Sequence, residues 1–173
     1  MPANLVMLFL LFELDGDRYA LDATEIVEVM ALVPMKQIPG APPWVAGTIE
    51  LHGVPVPAID IAQLALGRPA QRLRSTRMVV VRYRARTASS GDETGTRDAE
   101  HRLALIVERA TLTARIDRDR FADSGIATPN ARWLGPVAMD TSGFVQWVDV
   151  EHMLDDDVRA LLFAANPPLT VQD

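Results

Sequence analysis

The stretch IPGAPPWVAGTIELHGVPVPAIDI, residues 38–61, decides the fold of this chain. It holds five of the twelve prolines and three of the ten glycines. Three prolines before Trp44 fix the backbone φ angle and lack an N–H donor, so the chain must enter the stretch extended rather than helical. The pattern that follows predicts a hairpin: one strand from Trp44, a turn at residues 52–53, and a returning strand.

Glycine and proline positions refine this hairpin. Gly47 inside the first strand predicts a bulge, or a place where another backbone comes close. In the returning strand, Pro55 and Pro57 cannot donate to a β-ladder. We therefore expect this strand to lie at an edge or rim, with part of its backbone open to a partner. Asp60, followed by Gln63, predicts a capped helical turn, which gives Asp60 a structural role.

The stretch resembles the signature of CheW-like domains, adaptor modules that couple bacterial chemoreceptors to the histidine kinase CheA. The matching positions are Pro39, Pro42, Gly47, Leu51, Gly53, Pro57 and Asp60. The family turn usually reads asparagine-leucine-arginine-glycine, whereas this chain has Glu50-Leu51-His52-Gly53. In the family, that arginine lies at the receptor contact surface. The resemblance therefore implies a receptor preference that differs from that of a standard chemotaxis adaptor.

The resemblance covers residues 12–154 and implies a mainly β fold. It predicts two small five-stranded, SH3-like β-barrel lobes that share a core, with short helices and a C-terminal helix. We expect a single domain over residues 1–173, with one lobe near residues 20–80 and the other formed by the remainder, including the N-terminal strand. The segment VQWVDV echoes VPAIDI: each is a strand that ends in an aspartate able to cap a helix.

The N-terminal region reads as a hairpin around Asp15-Gly16-Asp17, and its apolar first strand is expected to be buried. Asp22 and Thr24 predict the cap of a short helix. Ile26, Val29 and Met30 then follow at helical spacing. Residues 78–85 alternate like a half-buried strand.

Two later segments complete the pattern. Residues 87–100 are polar and predict a mobile hairpin tip. An amphipathic C-terminal helix is predicted before Pro167 and Pro168. Its apolar face comprises Leu154, Val158, Leu161, Leu162 and Ala165.

Composition limits the function. A net charge of −6 disfavours a phosphate backbone as partner, although the arginine-rich residues 68–86 leave a nucleic-acid-binding barrel of the OB or SH3-like type as the alternative. The absence of cysteine excludes disulfides and fits a reducing cytoplasm. The apolar run at residues 5–12 is too short to span a bilayer, so we expect a cytoplasmic protein.

Sequence motifs for chemistry are missing. There is no phosphate-binding glycine loop, no nucleophile elbow, and no metal-ligand spacing among His52, His101 and His152. We therefore expect no catalytic residues, no metal and no cofactor. The expected protein is non-enzymatic and works by binding other proteins.

The resemblance implies two contact surfaces by position. The receptor-binding residues are Ile26, Glu28, Val29, Gly47, His52 and Gly53. The kinase-binding residues are Val54, Pro55, Gly135 and Pro136. The implied partners are the cytoplasmic tip of a chemoreceptor and the regulatory domain of a CheA-like kinase, and the membrane is reached only indirectly through the receptor. The run at residues 64–70 also resembles Wsp-type variant adaptors of surface-sensing pathways.

Overall fold

A computed structural model of the chain describes residues 5–84 and 100–163. Its strands, in chain order, are β1 (Val6–Leu14), β2 (Asp17–Asp22), β3 (Ile26–Met30), β4 (Val45–Leu51), β5 (Val54–Asp60), β6 (Arg77–Arg84), β7 (Glu100–Val107), β8 (Leu112–Asp117), β9 (Leu134–Asp140) and β10 (Gly143–Val148). The helices are α1 (Ile61–Leu66) and α2 (Asp156–Phe163), and single 3₁₀ turns cover Ala23–Glu25, Arg118–Arg120 and Val150–His152.

The strands form two five-stranded sheets with the same topology. Lobe A has the order β8-β1-β2-β10-β9, and lobe B has the order β3-β6-β7-β5-β4. In each lobe the segment after the first edge strand bridges back to the last strand, Ala122 to Val137 in lobe A and Lys36 to Thr48 in lobe B. These bridges close both sheets into small barrels and confirm the mainly β, two-lobe prediction.

The two lobes exchange hairpins. Strands β1 to β5 form the first half of the chain, and this half supplies β1–β2 to lobe A and β3–β5 to lobe B. The second half supplies β6–β7 to lobe B and β8–β10 to lobe A. The echo in the sequence marks this repeat, because Asp60 N–H donates to Trp44 C=O at 2.8 Å and Asp149 N–H donates to Trp133 C=O at 2.7 Å.

Alternate faces of the central strands fill three apolar layers. Phe9 and Ala20 lie inside lobe A, and Met78 and Val80 lie inside lobe B. The opposite faces of the same strands form the core shared between the lobes. Its largest fully buried members include Phe12, Leu14, Leu21, Ile59, Tyr83, Leu103 and Leu105. Strand β6 is therefore buried on both faces along most of its length, and the expectation of a half-buried strand over residues 78–85 was wrong.

The predicted hairpin of residues 38–61 is present, with one correction. Gly47 lies at a bulge with φ of 150°, and an added Cβ would approach the Lys36 carbonyl oxygen to 2.5 Å. Strand β5, however, lies between β4 and β7 and is not at the edge. In a two-residue hairpin, Pro55 and Pro57 fall at positions whose backbone nitrogens point away from β4. They thereby limit parallel pairing with β7 to Ala58–Asp60.

Residues 26–30 also differ from expectation. Asp22 caps the turn as predicted, accepting a hydrogen bond from Thr24 N–H at 2.9 Å, but the helix ends at Glu25. The β-branched residues that follow pair with β6 as strand β3 instead. Long-range pairing overrides the helical spacing here, because it buries one side of the strand.

Other expectations have mixed outcomes. Asp60 caps α1 and accepts from Gln63 N–H at 3.1 Å, as predicted, whereas Asp149 makes no such cap and pairs with His152 instead. In α2, Val158 is buried but Leu161 is 44% exposed. Ala165 lies outside the described residues, and so do residues 87–99 of the loop predicted at 87–100. The lobe expected near residues 20–80 includes β7 and so extends to Val107.

A polar clasp joins the lobes beside the shared core. Arg68 donates to Glu108 Oε1 at 2.8 Å and to Asp15 Oδ1 at 2.6 Å, and Gln71 N–H donates to Glu108 Oε1 at 2.8 Å. Asp15 is in the β1–β2 turn of lobe A, whereas Glu108 follows β7 of lobe B and is almost fully buried. Burial alone would raise the pKa of Glu108, but the hydrogen bonds from Arg68 and Gln71 outweigh it and lower that pKa.

The clasp predicts a pH dependence of folding. Because the pKa of Glu108 is lowered in the folded state, its contribution to stability is complete above the unfolded pKa, about 4.3. That contribution is lost as the pH falls through the lower folded value. Glu108→Gln should therefore flatten the fall in the free energy of unfolding between about pH 5 and pH 3. Urea unfolding across that range measures it, with exposed Glu50→Gln as control; equal slopes for Glu108→Gln and the unaltered chain would contradict the clasp.

Candidate functional site

The outer face of β3 carries the apolar part of the expected receptor surface. The β3–β6 register shifts between Ile26 and Glu28, so Ile26 lies opposite Val81 and Val29 lies opposite Val79. Without this bulge, residues three apart on a strand would face opposite sides. Both side chains therefore point to the shared-core side of lobe B. Ile26 packs half-buried against that core, and Val29 is 47% exposed.

The start of β1 adds an apolar surface that the sequence did not reveal. Val6, Leu8 and Leu10 share a face with the buried core residues Phe12 and Leu14. Yet Val6 is 54% exposed and Leu8 is 45% exposed, so the expectation of a fully buried first strand was wrong. The continuous apolar run of β1 extends beyond the part that lobe B covers, which is a weak signal for an exposed strip.

These two faces lie next to each other. The 3₁₀ turn Ala23–Glu25 contacts β1 and leads directly into β3. We call this surface the inter-lobe strip and define it by Val6, Leu8, Leu10, Ile26 and Val29. It is the place where the shared core continues to the molecular surface. Contiguous apolar side chains at such a place are typical of a docking surface.

Three of the remaining receptor residues, Glu28, His52 and Gly53, lie at the end of barrel B where the β4–β5 turn is, whereas Gly47 lies inside β4. His52 and Gly53 form the tight turn, with φ of 50° and 79°. His52 Nε2 lies 3.4 Å from Glu28 Oε2, so the structure brings these two predicted residues together. Glu28 is opposite Val80 and therefore on the other face of β3 from Val29. Gly47 is explained by its close approach to the Lys36 backbone.

The expected kinase-binding residues lie in different lobes. Val54 and Pro55 are exposed at the start of β5 in lobe B. Gly135 and Pro136 belong to β9 in lobe A, and an added Cβ on Gly135 would lie 2.8 Å from the Trp147 carbonyl oxygen. Pro136 also lines a cavity of about 490 Å³ between the lobes. The structure thus gives Gly135 a packing role and does not join the two pairs into one surface.

A second apolar surface occupies the hairpin of β9 and β10. Phe144 and Met139 are cross-strand partners, exposed by 66% and 60%. Ile126, which is 72% exposed, lines a separate surface cavity of about 610 Å³ together with these two residues. We call these three residues the lobe A patch. Arg18 fixes the β9–β10 turn by donating to Asp140 Oδ2 at 2.9 Å and to Gly143 C=O at 3.0 Å. That hydrogen bond to Arg18 lowers the pKa of Asp140.

Three arginines of the 68–86 segment make side-chain contacts within the protein. Arg68 forms the clasp, Arg77 donates to the carbonyl oxygens of Arg74 and Thr76, and Arg82 donates to Thr24 C=O at 2.8 Å. These contacts give the arginines structural roles. Among residues 5–84 and 100–163, no three His, Asp or Glu side chains are grouped so as to hold a metal ion. In the same residues, neither helix has the length and apolarity needed to cross a lipid bilayer.

Two closed barrels joined by one core, with large apolar side chains left outside, define the class of protein as a double-barrel β module. Residues 8–158 match the family model of the CheW-like domain. The chain belongs to this family.

Individual relatives agree with that assignment. The chemotaxis protein CheW of Bacillus subtilis (strain 168) is 29% identical over 76 residues, which are 43% of this chain and 48% of that protein. The chain thus matches about half the length of this curated relative. The crystal structure of the scaffolding protein TtCheW from Thermoanaerobacter tengcongensis superposes with a TM-score of 0.72 at 18% identity, covering 89% of this chain and 91% of that one. This likeness shows the same fold.

Proposed function

We propose that this chain is a non-enzymatic adaptor that couples chemoreceptors of the methyl-accepting type to a CheA-type histidine kinase. It acts in the cytoplasm and is recruited to membrane-associated receptor arrays through its receptor. One observation carries the proposal: a chain of the CheW-like family exposes the edge of its shared core as the inter-lobe strip. The pathway is proposed to be chemotaxis or a Wsp-like surface-sensing system that ends in cyclic di-GMP synthesis.

The inter-lobe strip suits a helical partner. Val29 and Leu8 are each close to half exposed and belong to different lobes, so a helix laid across the strip contacts both barrels at once. Each Å² of apolar surface that the helix removes from water contributes about 25 cal/mol to the favourable free energy of burial. The apolar face of an amphipathic helix supplies the matching ridge, and polar residues at the rim set its register. The tip of a receptor coiled coil has this form.

Acidic substitutions on the strip test the receptor contact. Val29→Asp and Leu8→Asp place a carboxylate where the helix must exclude water, and we expect each to weaken binding of a receptor-tip fragment about tenfold or more. Both side chains are partly exposed, so folding should be retained. Isothermal titration calorimetry measures the affinity, and circular dichroism checks the fold.

Phe144→Asp is the matched control, because Phe144 is also exposed but lies in the lobe A patch. It should bind the receptor fragment like the unaltered chain. If Val29→Asp and Leu8→Asp also bind normally, the receptor does not use the inter-lobe strip.

The kinase contact is proposed at the ends of the barrels. Met139 of the lobe A patch lies on β9, the strand of Gly135 and Pro136. In the corresponding hairpin of lobe B, the second strand begins with the exposed residues Val54 and Pro55. Phe144 is the aromatic member of the lobe A patch, and aromatic side chains dominate the energetics of protein interfaces. The regulatory domain of the kinase, which the family resemblance makes a like-folded partner, is the proposed occupant.

Substitutions at the two barrel ends distinguish the lobes. Phe144→Ser should weaken binding to the kinase regulatory domain by about 2 kcal/mol, because it removes a candidate aromatic anchor. Val54→Ser tests lobe B in the same pull-down titration, and Val29→Asp serves as the control on the receptor side. Unchanged binding for both Phe144→Ser and Val54→Ser would show that the kinase docks elsewhere.

A further inference from the structure

A cavity of about 430 Å³ lies beside the start of β5 in lobe B, against the end of α2. Pairing between β5 and β7 covers only Ala58–Asp60, so the cavity opens where the two strands separate. Val54 and Leu161 line it and are 52% and 44% exposed. Among the described residues that line this cavity, Arg102 alone carries a permanent charge. The cavity therefore combines a mostly apolar wall with one guanidinium group and no carboxylate.

Arg102 has a counterpart in lobe A. The segment Arg102-Leu103-Ala104-Leu105 of β7 repeats the segment Arg18-Tyr19-Ala20-Leu21 of β2. In the parallel ladders, Ala104 lies opposite Ala58, and Ala20 lies opposite Trp147. Ala58 and Trp147 each precede by two residues the aspartate of the VPAIDI and VQWVDV repeat. Arg102 and Arg18 thus occupy equivalent positions in the two barrels.

The two arginines differ in their partners. In lobe A, Arg18 donates to Asp140 Oδ2 at 2.9 Å and to Gly143 C=O at 3.0 Å. Asp140 precedes the two-residue turn of its hairpin, and the same place in lobe B is taken by Leu51, a buried apolar residue. Among residues 5–84 and 100–163, the Arg102 side chain forms no hydrogen bond or ion pair. Lobe B therefore keeps the arginine of the repeat but lacks its carboxylate.

The surroundings of Arg102 favour an anion. Arg82 lies directly opposite Arg102 in the β6–β7 ladder and donates to Thr24 C=O at 2.8 Å. Like charges at directly opposite positions of a ladder destabilise each other, so a carboxylate beside Arg102 relieves this repulsion. His101 adds no charge at neutral pH, because burial lowers its pKa. A carboxylate can also accept two parallel hydrogen bonds from a guanidinium group.

We propose that the partner docking at the start of β5 supplies to Arg102 the carboxylate that Asp140 supplies to Arg18 in lobe A. The occupant is an apolar segment of the kinase regulatory domain that carries an aspartate or a glutamate. Val54 and Leu161 give the apolar part of the contact, and Arg102 selects the acidic side chain. The inference rests on the kinase contact proposed above and specifies the chemistry of the kinase segment.

The test is the affinity of the full chain for the kinase regulatory domain, measured by isothermal titration calorimetry. Arg102→Gln should weaken binding about threefold to tenfold, which is the range expected for a partly exposed ion pair. Arg102→Lys should weaken it less, because the charge stays and only the two-bond geometry is lost. Arg84→Gln is the matched control: it removes the same charge from an exposed arginine of the same hairpin and should change the affinity less than about twofold.

Folding stability supplies a readout that needs no partner. Arg18→Gln loses the pair with Asp140 and should lower the midpoint of urea unfolding, whereas Arg102→Gln should leave that midpoint unchanged. A fall in Arg102→Gln as large as the fall in Arg18→Gln would mean that the chain itself satisfies Arg102, and would overturn the inference.

Salt and self-association complete the test. Raising NaCl from about 50 to 300 mM should weaken kinase binding of the unaltered chain more than that of Arg102→Gln, since screening acts on the proposed pair. If Arg102→Gln binds normally while Val54→Ser binds weakly, the kinase contact stands and the carboxylate is refuted. Normal binding by both variants refutes the kinase contact at this end as well. A dimer of the unaltered chain that Arg102→Gln dissociates in sedimentation equilibrium would place a second copy in the cavity and overturn the assignment to the kinase.

Discussion

Strands of both lobes, β1, β2, β6 and β7 among them, are each shared between two hydrophobic layers, and the rest of the structure depends on that sharing. In β6, for example, Val80 faces the interior of lobe B while Val79 and Val81 face lobe A across the shared core. The same division holds for β1, β2 and β7. Because the hairpins are exchanged between the halves of the chain, neither barrel is complete without residues from both halves.

This arrangement also produces the proposed docking surfaces. Phe12, Leu21 and Tyr83 are fully buried in the shared core, whereas lobe B leaves the start of β1 exposed and lobe A leaves Val29, near the end of β3, about half exposed. The apolar faces of these strands therefore continue into solvent as the inter-lobe strip. The barrel ends, in contrast, present hairpins whose tight turns are fixed locally, by positive φ at His52 and by the Arg18–Asp140 pair. Rigid surfaces of this kind suit an adaptor, since little order has to be gained on binding.

Local chemistry explains which features the sequence predicts. The Asp15-Gly16 turn, the close backbone approach at Gly47 and the cap by Asp60 each depend on one residue type at one position, and all three are present. The family signature is of the same local kind, and with it the two-lobe fold was predicted. Glu28 and His52, two residues of the surface that the resemblance implies, lie close together, and their role in receptor binding stays a prediction.

The main errors concern long-range pairing. Residues 26–30 have helical spacing but form β3, because they pair with β6, and four of the five become partly buried. The prolines of β5 suggested an edge, but they block only part of the pairing with β7, and the parallel contact at Ala58–Asp60 places β5 inside the sheet. The exposure of Leu8 depends on how far lobe B reaches across β1, which no local pattern encodes.

The intertwined core is tested most directly by native-state hydrogen exchange, measured with increasing urea. If the shared core binds the lobes into one cooperative unit, the slowest amides of β1 and β2 and those of β6 and β7 should exchange with the same opening free energy and the same urea dependence. Two distinct values, with one lobe's strands opening while the other's stay protected, would contradict the account.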